Sequence, residues 1–425
     1  SVSSQTCTRY TSHKALIDSG RRVVMVSSLQ VAATACLGAI ALIVLRRRSR
    51  SAPQELFTPE YPPLPYPVAL RVLTWLFGWN VLKKVLISPP VSAKIKDISS
   101  FIPQLQKKVV NGVTIMQSAI IDDAQVGSLL FAPTARALQP IAVAQASQAG
   151  GPNAASKMAS DVDLAVKLCG EHSAGKLSAE KLVQEGMVTV NFMAVLKLSS
   201  GGLLLYNPIH LTDTVQAWVK DIGGAVKYIV SPLQAHKSFV QEAKQVYPNA
   251  KIAACEPAAE ALAMLPVATD FVYSDPEGLA RLRKDLEPEG VDCIFMQGDP
   301  HETIVMFHKP SGTLLQGDFL YYSAFHNPPS DSGVPSDTPF CRAMRTACSC
   351  SPNGRVCLYR LDQFNPASPF HHLFRVKADR NALLASVEQM LALPFNQVVD
   401  CHAGLLTGLD FSKQFRAEYD WLWMQ

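Results

Sequence analysis

Charged residues are scarce in this sequence. They make up 17% of the 425 residues, where a soluble globular domain carries about 25%, and apolar residues reach 48%. A composition so poor in charge favours a membrane-associated or complex-embedded protein over a free cytosolic enzyme. The formal net charge of +4 and the lack of interleaved basic and aromatic residues argue against nucleic acid as a partner.

Motifs for nucleotides and organic cofactors are also missing, and the chain has no internal repeat. Gly201-Gly202 and Gly223-Gly224 stand without the lysine and serine of a phosphate loop or the third glycine of a dinucleotide fold. Both pairs therefore predict turns. We expect no bound cofactor and no cofactor-binding residue, unless the chain holds a single zinc or iron ion at the residues discussed below.

One long apolar run, at residues 23–45, contains no charged residue. At 1.5 Å per residue a helix over this run spans about 34 Å, enough to cross a bilayer. Arginines flank it, and the denser group, at 46–50, favours placing the C-terminal side in the matrix, stroma or cytosol. These features predict a single-pass organelle membrane protein, of the mitochondrial inner membrane or the plastid thylakoid, with its soluble domain on the matrix or stromal side.

The segment after the apolar run predicts an extended and then helical lead. Six prolines at 51–67 indicate a polyproline-type strap, and 68–87 is typical of an interfacial helix or of a helix buried against a partner subunit. Such a lead needs other surfaces to order it, so we expect other subunits of a membrane complex and membrane lipid as partners. Further on, the sequence predicts helical stretches at 104–110 and 135–146 (kinked at Pro140), a linker at 148–155, and short helices at 161–170 and 178–185.

The rest of the chain alternates strands and helices, which predicts an α/β layer sandwich. It begins with a β-hairpin at residues 187–198 and 202–208. Further strands are predicted at 226–230, 251–254, 291–297, 303–308, 313–315 and 398–401. Helices are predicted at 213–222, 239–246, 277–286 and 381–393.

The order of these strands and loops resembles the metallo-β-lactamase superfamily over roughly the last 240 residues. The resemblance implies an α/β fold, a metallo-β-lactamase-like αββα sandwich, here preceded by the N-terminal transmembrane helix and the lead segment. We expect a tail and transmembrane helix at 1–50, the lead at 51–185 and the sandwich at 186–425. A cysteine-rich insertion is expected at about 327–358 within the sandwich.

The metal loop of that superfamily, Thr-His-x-His-x-Asp-His, aligns with residues 231–237. Pro232 and Gln234 stand in place of the His-x-His pair. His236 takes the aspartate position, and Lys237 takes the last histidine position. Zinc hydrolases hold their metal with several neutral imidazoles, whereas proline offers no ligand and a lysine ammonium repels a cation. The standard dinuclear centre cannot be built from this loop, so no catalytic residue is predicted.

Three residues nevertheless match ligand positions of the superfamily, and they are the metal candidates: His236, Asp318 and His402. Two histidines and one carboxylate can hold a single Zn²⁺ or Fe²⁺. Alternatively they form a buried hydrogen-bonded cluster without metal, which is the interpretation that the changed loop favours. His301 matches the middle histidine only loosely, and Asn207, in place of a strand-end aspartate, is predicted to be a turn residue.

Four cysteines fall within the insertion, namely Cys341, Cys348, Cys350 and Cys357. They can bind zinc, form two disulfides, or remain reduced. Their spacing is not the paired Cys-x-x-Cys of structural zinc sites, so we expect no zinc there.

Two functions compete on these observations. The favoured one is an accessory or structural subunit of an organellar membrane complex, with a degenerate hydrolase-like domain as a scaffold. The alternative is a membrane-anchored metal-dependent hydrolase with an altered mononuclear site. The low charge, the predicted anchor and the changed metal loop favour the first.

Overall fold

The structure is a computed structural model, and it describes residues 107–120, 125–320, 333–335, 337–343, 378–408, 410–418 and 422–423. Several predicted features lie outside the described residues: the apolar run at 23–45, the strap at 51–67, the helix at 68–87, and Cys348, Cys350 and Cys357.

No helix within the described residues is long and apolar enough to cross a membrane. This finding contradicts the predicted localisation as a single-pass organelle membrane protein. The longest helix, Gln125–Ser173, carries charged residues such as Lys157, Asp161 and Lys167 in its second half. The other described helices have at most 12 residues, or about 18 Å at 1.5 Å per residue, which is too short to span a bilayer.

Sheet A contains seven strands: β1 Lys107–Val110, β2 Val113–Ile120, β3 Thr189–Lys197, β4 Leu203–Tyr206, β5 Val226–Val230, β6 Lys251–Ala254 and β7 Phe271–Val272. The strands lie in sequence order across the sheet. β1 to β4 form an antiparallel meander, and β4 to β7 run parallel. The hairpin predicted at 187–198 and 202–208 is confirmed as β3 and β4.

The sheet starts well before residue 186. β1 and β2 form a hairpin closed by Asn111-Gly112, whose φ angles are 48° and 79°. Left-handed angles at both turn residues are typical of the two-residue turn that Asn-Gly favours. The helix predicted at 104–110 is therefore wrong over its described part. β2 pairs with β3 from Val113 to Ile120, so this hairpin extends the same sheet.

Sheet B contains five strands: β8 Val291–Phe295, β9 Ile304–His308, β10 Thr313–Gln316, β11 Gln397–Asp400 and β12 Gly404–Thr407. Its order is β12-β11-β10-β9-β8. β10 and β11 run parallel, and the other neighbouring pairs are antiparallel.

The helices are α1 Gln125–Ser173, α2 Ala179–Gln184, α3 Asp213–Ile222, α4 Val240–Val246, α5 Glu256–Ala263, α6 Pro276–Leu286, α7 Arg380–Leu391 and α8 Phe411–Glu418. α1 continues through residue 140, where a kink was predicted. It departs from helical geometry at Gly150 and Gly151 instead, since glycine tolerates the positive φ of 72° at Gly151.

The two sheets are joined by direct hydrogen bonds and enclosed by apolar packing. The Phe192 amide donates to the Cys401 carbonyl at 2.8 Å, and the buried Tyr206 hydroxyl donates to the Ile304 carbonyl at 2.8 Å. On the other face of sheet B, α7 and α8 bury side chains such as Val387 and Phe415 against the strands. The mixed α/β fold predicted from the sequence is confirmed.

Candidate metal centre

The metal candidates lie where two parallel strand pairs end. β4 and β5 are neighbours in sheet A, and β10 and β11 are neighbours in sheet B. Asn207 follows β4, and His236 lies in the loop after β5. Asp318 follows β10, and His402 follows β11. Carboxyl ends of parallel strands are where α/β proteins collect their binding residues, and here each sheet contributes to one site.

His236, Asp318 and His402 converge on one point. The Oδ1 atom of Asp318 lies 3.2 Å from Nε2 of His236 and 3.1 Å from Nε2 of His402. The two imidazole rings meet edge to face, with centroids 5.0 Å apart. Potential ligand atoms of all three residues lie within 4.8 Å of one another. Asp318 and His402 are buried, and His236 is mostly buried.

The Asp318 Oδ1 atom is buried and accepts no hydrogen bond, although both Nε2 atoms lie close to it. Buried polar atoms almost always have a partner, so this one calls for an explanation. Atoms that share one tetrahedral zinc ion at about 2.0–2.1 Å stand roughly 3.3 Å apart, close to the distances found here. Two imidazoles and a carboxylate are also a donor set that suits zinc or iron. The three residues therefore fit one metal ion.

Asp318 and His402 shift each other's pKa values. Burial disfavours the charged form of His402, but the Asp318 carboxylate beside it outweighs burial and raises the pKa of His402 to about 9. Burial also opposes ionisation of Asp318, yet His236 and His402 hold its pKa well below the usual range. A proton and a metal ion compete for the same nitrogen in such a site.

The far side of each imidazole is anchored to sheet A. His236 Nδ1 lies 2.8 Å from Oδ1 of Asn207, and His402 Nδ1 lies 2.8 Å from the Val190 carbonyl. Anchored Nδ1 atoms direct both Nε2 atoms towards Asp318. Outer partners of this kind orient the histidines of metal sites.

A second buried carboxylate, Asp400, shapes the loop that carries His402. Its Oδ1 accepts the backbone amides of His402 at 2.7 Å and Ala403 at 2.6 Å, and its other oxygen accepts from the Gln316 side chain. Burial raises the pKa of Asp400 to about 7. The carboxylate therefore acts as the cap of a tight turn that presents the imidazole.

The loop aligned with the superfamily's metal motif is held by its own hydrogen bonds. Gln234 donates to the Pro300 carbonyl at 3.1 Å, and the Lys237 ammonium donates to the Gln234 carbonyl at 2.9 Å. The Pro232 carbonyl accepts the Ile304 amide at 2.8 Å. Residues that replace the lost ligands thus stabilise the loop and leave His236 to face Asp318.

The structure brings together three of the four histidine and aspartate positions that the sequence singled out. His301 is not part of the group; its backbone carbonyl accepts the Gln234 amide at 3.3 Å. Asn207 does have the left-handed backbone of a turn residue, with φ 56°, but nothing in the sequence indicated that its side chain contacts His236. Asp400 was also missed, although an aspartate two residues before a histidine is a common turn-capping signal.

Cys341, the one cysteine of the insertion among the described residues, is buried. Its sulfur lies 3.6 Å from the Pro335 carbonyl and 3.9 Å from the Gly186 carbonyl. The neighbouring Arg342 pairs with Asp161 of α1 through two nitrogens, at 2.7 and 3.0 Å. These contacts dock the start of the insertion against α1 and the turn before β3.

A protein-family model described as a domain of unknown function, DUF4336, matches residues 180–330. The matched segment contains His236 and Asp318 and ends before His402. It spans less than half of the 425 residues. No match to the chain is found among curated proteins.

Solved structures similar to this chain include two metallo-β-lactamases and a flavodiiron protein. The metallo-β-lactamase from Pontibacter korlensis has 11% identity and a TM-score of 0.35, over 76% of this chain and 100% of that chain. The metal-soaked Flv1 flavodiiron core from Synechocystis has 12% identity and a TM-score of 0.39, over 75% of this chain and 61% of that chain. The DIM-1 metallo-β-lactamase has 9% identity and a TM-score of 0.36, over 75% of this chain and 98% of that chain. At these low identities and scores, the similarities carry no conclusion about the function of this chain.

Proposed function

We propose that this protein is a metal-dependent hydrolase with a mononuclear centre. His236, Asp318 and His402 would hold one divalent transition metal ion, zinc or iron. The observation that carries the proposal is the convergence of two anchored imidazoles on one buried carboxylate, with both Nε2 atoms within 3.2 Å of Asp318 Oδ1.

The donor set excludes the two-metal centre that the sequence resemblance would imply. Pro232 offers no ligand, and Gln234 and Lys237 are engaged with backbone carbonyls of the loop region. Within the described residues one group of three possible ligands is found. Three protein ligands leave a coordination position open, as in catalytic rather than structural zinc sites.

The chain's own residues have defined tasks in such a centre. Asn207 and the Val190 carbonyl orient the two histidines. Asp318 neutralises part of the ionic charge, and Asp400 keeps the His402 loop closed. When bound, the metal supplies Lewis acidity that polarises a carbonyl or phosphoryl group.

A second candidate is a non-catalytic scaffold, as in an accessory subunit of a protein complex. The hydrogen-bonded loop at 231–237 and the raised pKa of His402 favour it, because a proton on His402 can balance the charge of Asp318 without a metal. In that case the cluster contributes to folding alone.

Metal content and turnover distinguish the two candidates. The full chain is purified without chelator, its zinc and iron are measured by mass spectrometry, and it is assayed with generic ester and phosphodiester substrates. We expect about one metal ion per chain and hydrolysis that disappears in the double variant His236→Ala, His402→Ala. A chain that binds neither zinc nor iron after reloading, with no turnover above the double variant, would exclude the hydrolase and leave the scaffold.

A further inference from the structure

We infer that Asn207 is a positioning residue that fixes the tautomer of His236, so that Nε2 and not Nδ1 is offered to the metal. The inference concerns the site of the proposed function and rests on it for the role of the metal. The tautomer itself is a property of the chain and can be tested without any ion.

The backbone of β3 determines which way the Asn207 amide faces. The Asn207 Nδ2 atom donates to the Phe192 carbonyl at 2.8 Å, and a carbonyl oxygen can only accept. The amide oxygen must therefore face the other way, towards His236. This contact removes the usual ambiguity of a side-chain amide, in which oxygen and nitrogen can be exchanged.

The orientation of the amide then determines the proton on His236. Oδ1 of Asn207 can only accept, and it lies 2.8 Å from His236 Nδ1, so Nδ1 must carry a hydrogen. In the neutral imidazole the lone pair is then on Nε2. Nε2 lies 3.2 Å from Asp318 Oδ1, which can also only accept. A metal ion bound between these two atoms would therefore find its His236 ligand atom on Nε2, where the other two candidates converge.

The surroundings of Asn207 hold its side chain in one orientation. It is buried, and its backbone amide donates to the Val230 carbonyl of β5 at 3.0 Å. Its φ of 56° lies in the left-handed region, which asparagine adopts more readily than most residues. Backbone strain, burial and two side-chain hydrogen bonds together hold the amide in one orientation.

The asparagine also explains why the strand-end aspartate expected from the resemblance is absent. An aspartate accepts from Nδ1 equally well, but it has no N–H for the Phe192 carbonyl. Asparagine at this position therefore bonds to β3 and supports His236 at the same time.

The test is whether His236 Nδ1 carries a hydrogen, read from nitrogen-15 histidine spectra of the full chain without metal and loaded with zinc. We expect the Nδ1–H form in the wild type and a mixture of tautomers in Asn207→Gly, in which glycine tolerates the left-handed backbone. Asn207→Asp keeps an acceptor and should restore the Nδ1–H form. The matched control is Asn111→Gly, at another left-handed asparagine, whose side chain contacts Gln397 at the opposite end of β11 from Asp400. It should leave the His236 spectrum unchanged.

Zinc affinity, measured by competition with a chelator, gives the second reading. Asn207→Gly should weaken binding about 10–100-fold, the usual effect of removing an outer partner of a metal histidine, while Asn111→Gly should not. A wild-type ring without a hydrogen on Nδ1, or zinc-loaded Asn207→Gly with the same tautomer as the wild type, would overturn the inference. A locked Nδ1–H form in a chain that binds no zinc would overturn the proposed function and leave the tautomer assignment standing.

Discussion

Two buried carboxylates link parts of this fold, and they differ in how their oxygens are satisfied. At one end of sheet A, Glu289 accepts from the Ser200 amide at 2.9 Å, the Ser200 hydroxyl at 2.7 Å and the Lys227 ammonium at 2.9 Å. Lys227 in turn donates to the Ser200 hydroxyl at 2.7 Å. At the site end, Asp318 Oδ1 has two imidazoles near it and no hydrogen bond.

On the proposed function, the difference separates a structural network from a metal site. The Glu289 network is closed, because each charged group has an opposite charge or a donor in contact, and such networks make a fold more rigid. In the Asp318 group, three potential ligand atoms lie within 4.8 Å of one another. The first should respond to mutation through stability and the second through metal binding.

The largest expected effect is on metal affinity. Replacing Asp318 with asparagine removes the charged ligand, and zinc affinity should fall at least about 100-fold, since removal of outer partners alone costs 10–100-fold. Glu289→Gln is the control and should bind zinc as the wild type does. Chelator competition measures both. Equal affinities in wild type and Asp318→Asn would show that the Asp318 group is not the binding site.

The second effect is on folding stability, where the loss of the Glu289 carboxylate should matter more than the loss of the Asp318 carboxylate. Glu289→Gln leaves Lys227 without its charged partner and weakens charge-assisted hydrogen bonds, so the free energy of unfolding should drop by about 2 kcal/mol. Lys227 is partly exposed, so water limits the loss. Urea unfolding of the metal-free chain gives the value, and a drop below about 0.5 kcal/mol would contradict the structural role of Glu289.

The pH dependence of the stability difference between the wild type and Glu289→Gln gives a further test. Burial opposes ionisation of Glu289, but its bonds to Ser200 and Lys227 outweigh burial and lower its pKa from 4.5. A carboxyl group whose pKa is lowered on folding stabilises the protein above its unfolded pKa and loses that contribution as the pH falls through the folded pKa. The stability gap between wild type and Glu289→Gln should therefore be full above pH 4.5 and shrink below it. A gap that widens with acid would contradict the assignment.

The smallest effect is expected for Ser200→Ala. The hydroxyl donates to Glu289 and accepts from Lys227, but the backbone amide and the ammonium still contact the carboxylate after its removal. Unfolding free energy should fall by about 1 kcal/mol, the usual net value of one hydrogen bond, with zinc affinity unchanged. Urea unfolding and chelator competition on the same preparation check both parts.

Much of the fold could be predicted because its signals are local. Burial and amphipathic periodicity predicted a strand at 226–230 and a helix at 213–222, and the structure has β5 and α3 over the same residues. The first hairpin was missed because β1 has only four residues and the turn signal is the single Asn111-Gly112 pair. The kink of α1 was assigned to proline, yet the helix bends where two glycines follow each other.

The sequence could identify the metal candidates but not the contacts that hold them in place. The order of loops after strands, together with the family resemblance, was enough to select His236, Asp318 and His402. The roles of Asn207 and Lys237 depend on contacts between distant segments: the Asn207 amide is oriented by Phe192 on another strand, and Lys237 bonds to its own loop. Asn207 was predicted only as a turn residue, whereas its side-chain amide also contacts His236.

The most direct test of the central claim is anomalous diffraction at the zinc edge from crystals of the full chain grown with zinc. The account predicts one peak per chain, about 2.0–2.2 Å from Nε2 of His236, Nε2 of His402 and a carboxylate oxygen of Asp318. The contradicting result is a site without a peak in zinc-saturated crystals, in which both imidazoles have turned to donate hydrogen bonds to Asp318.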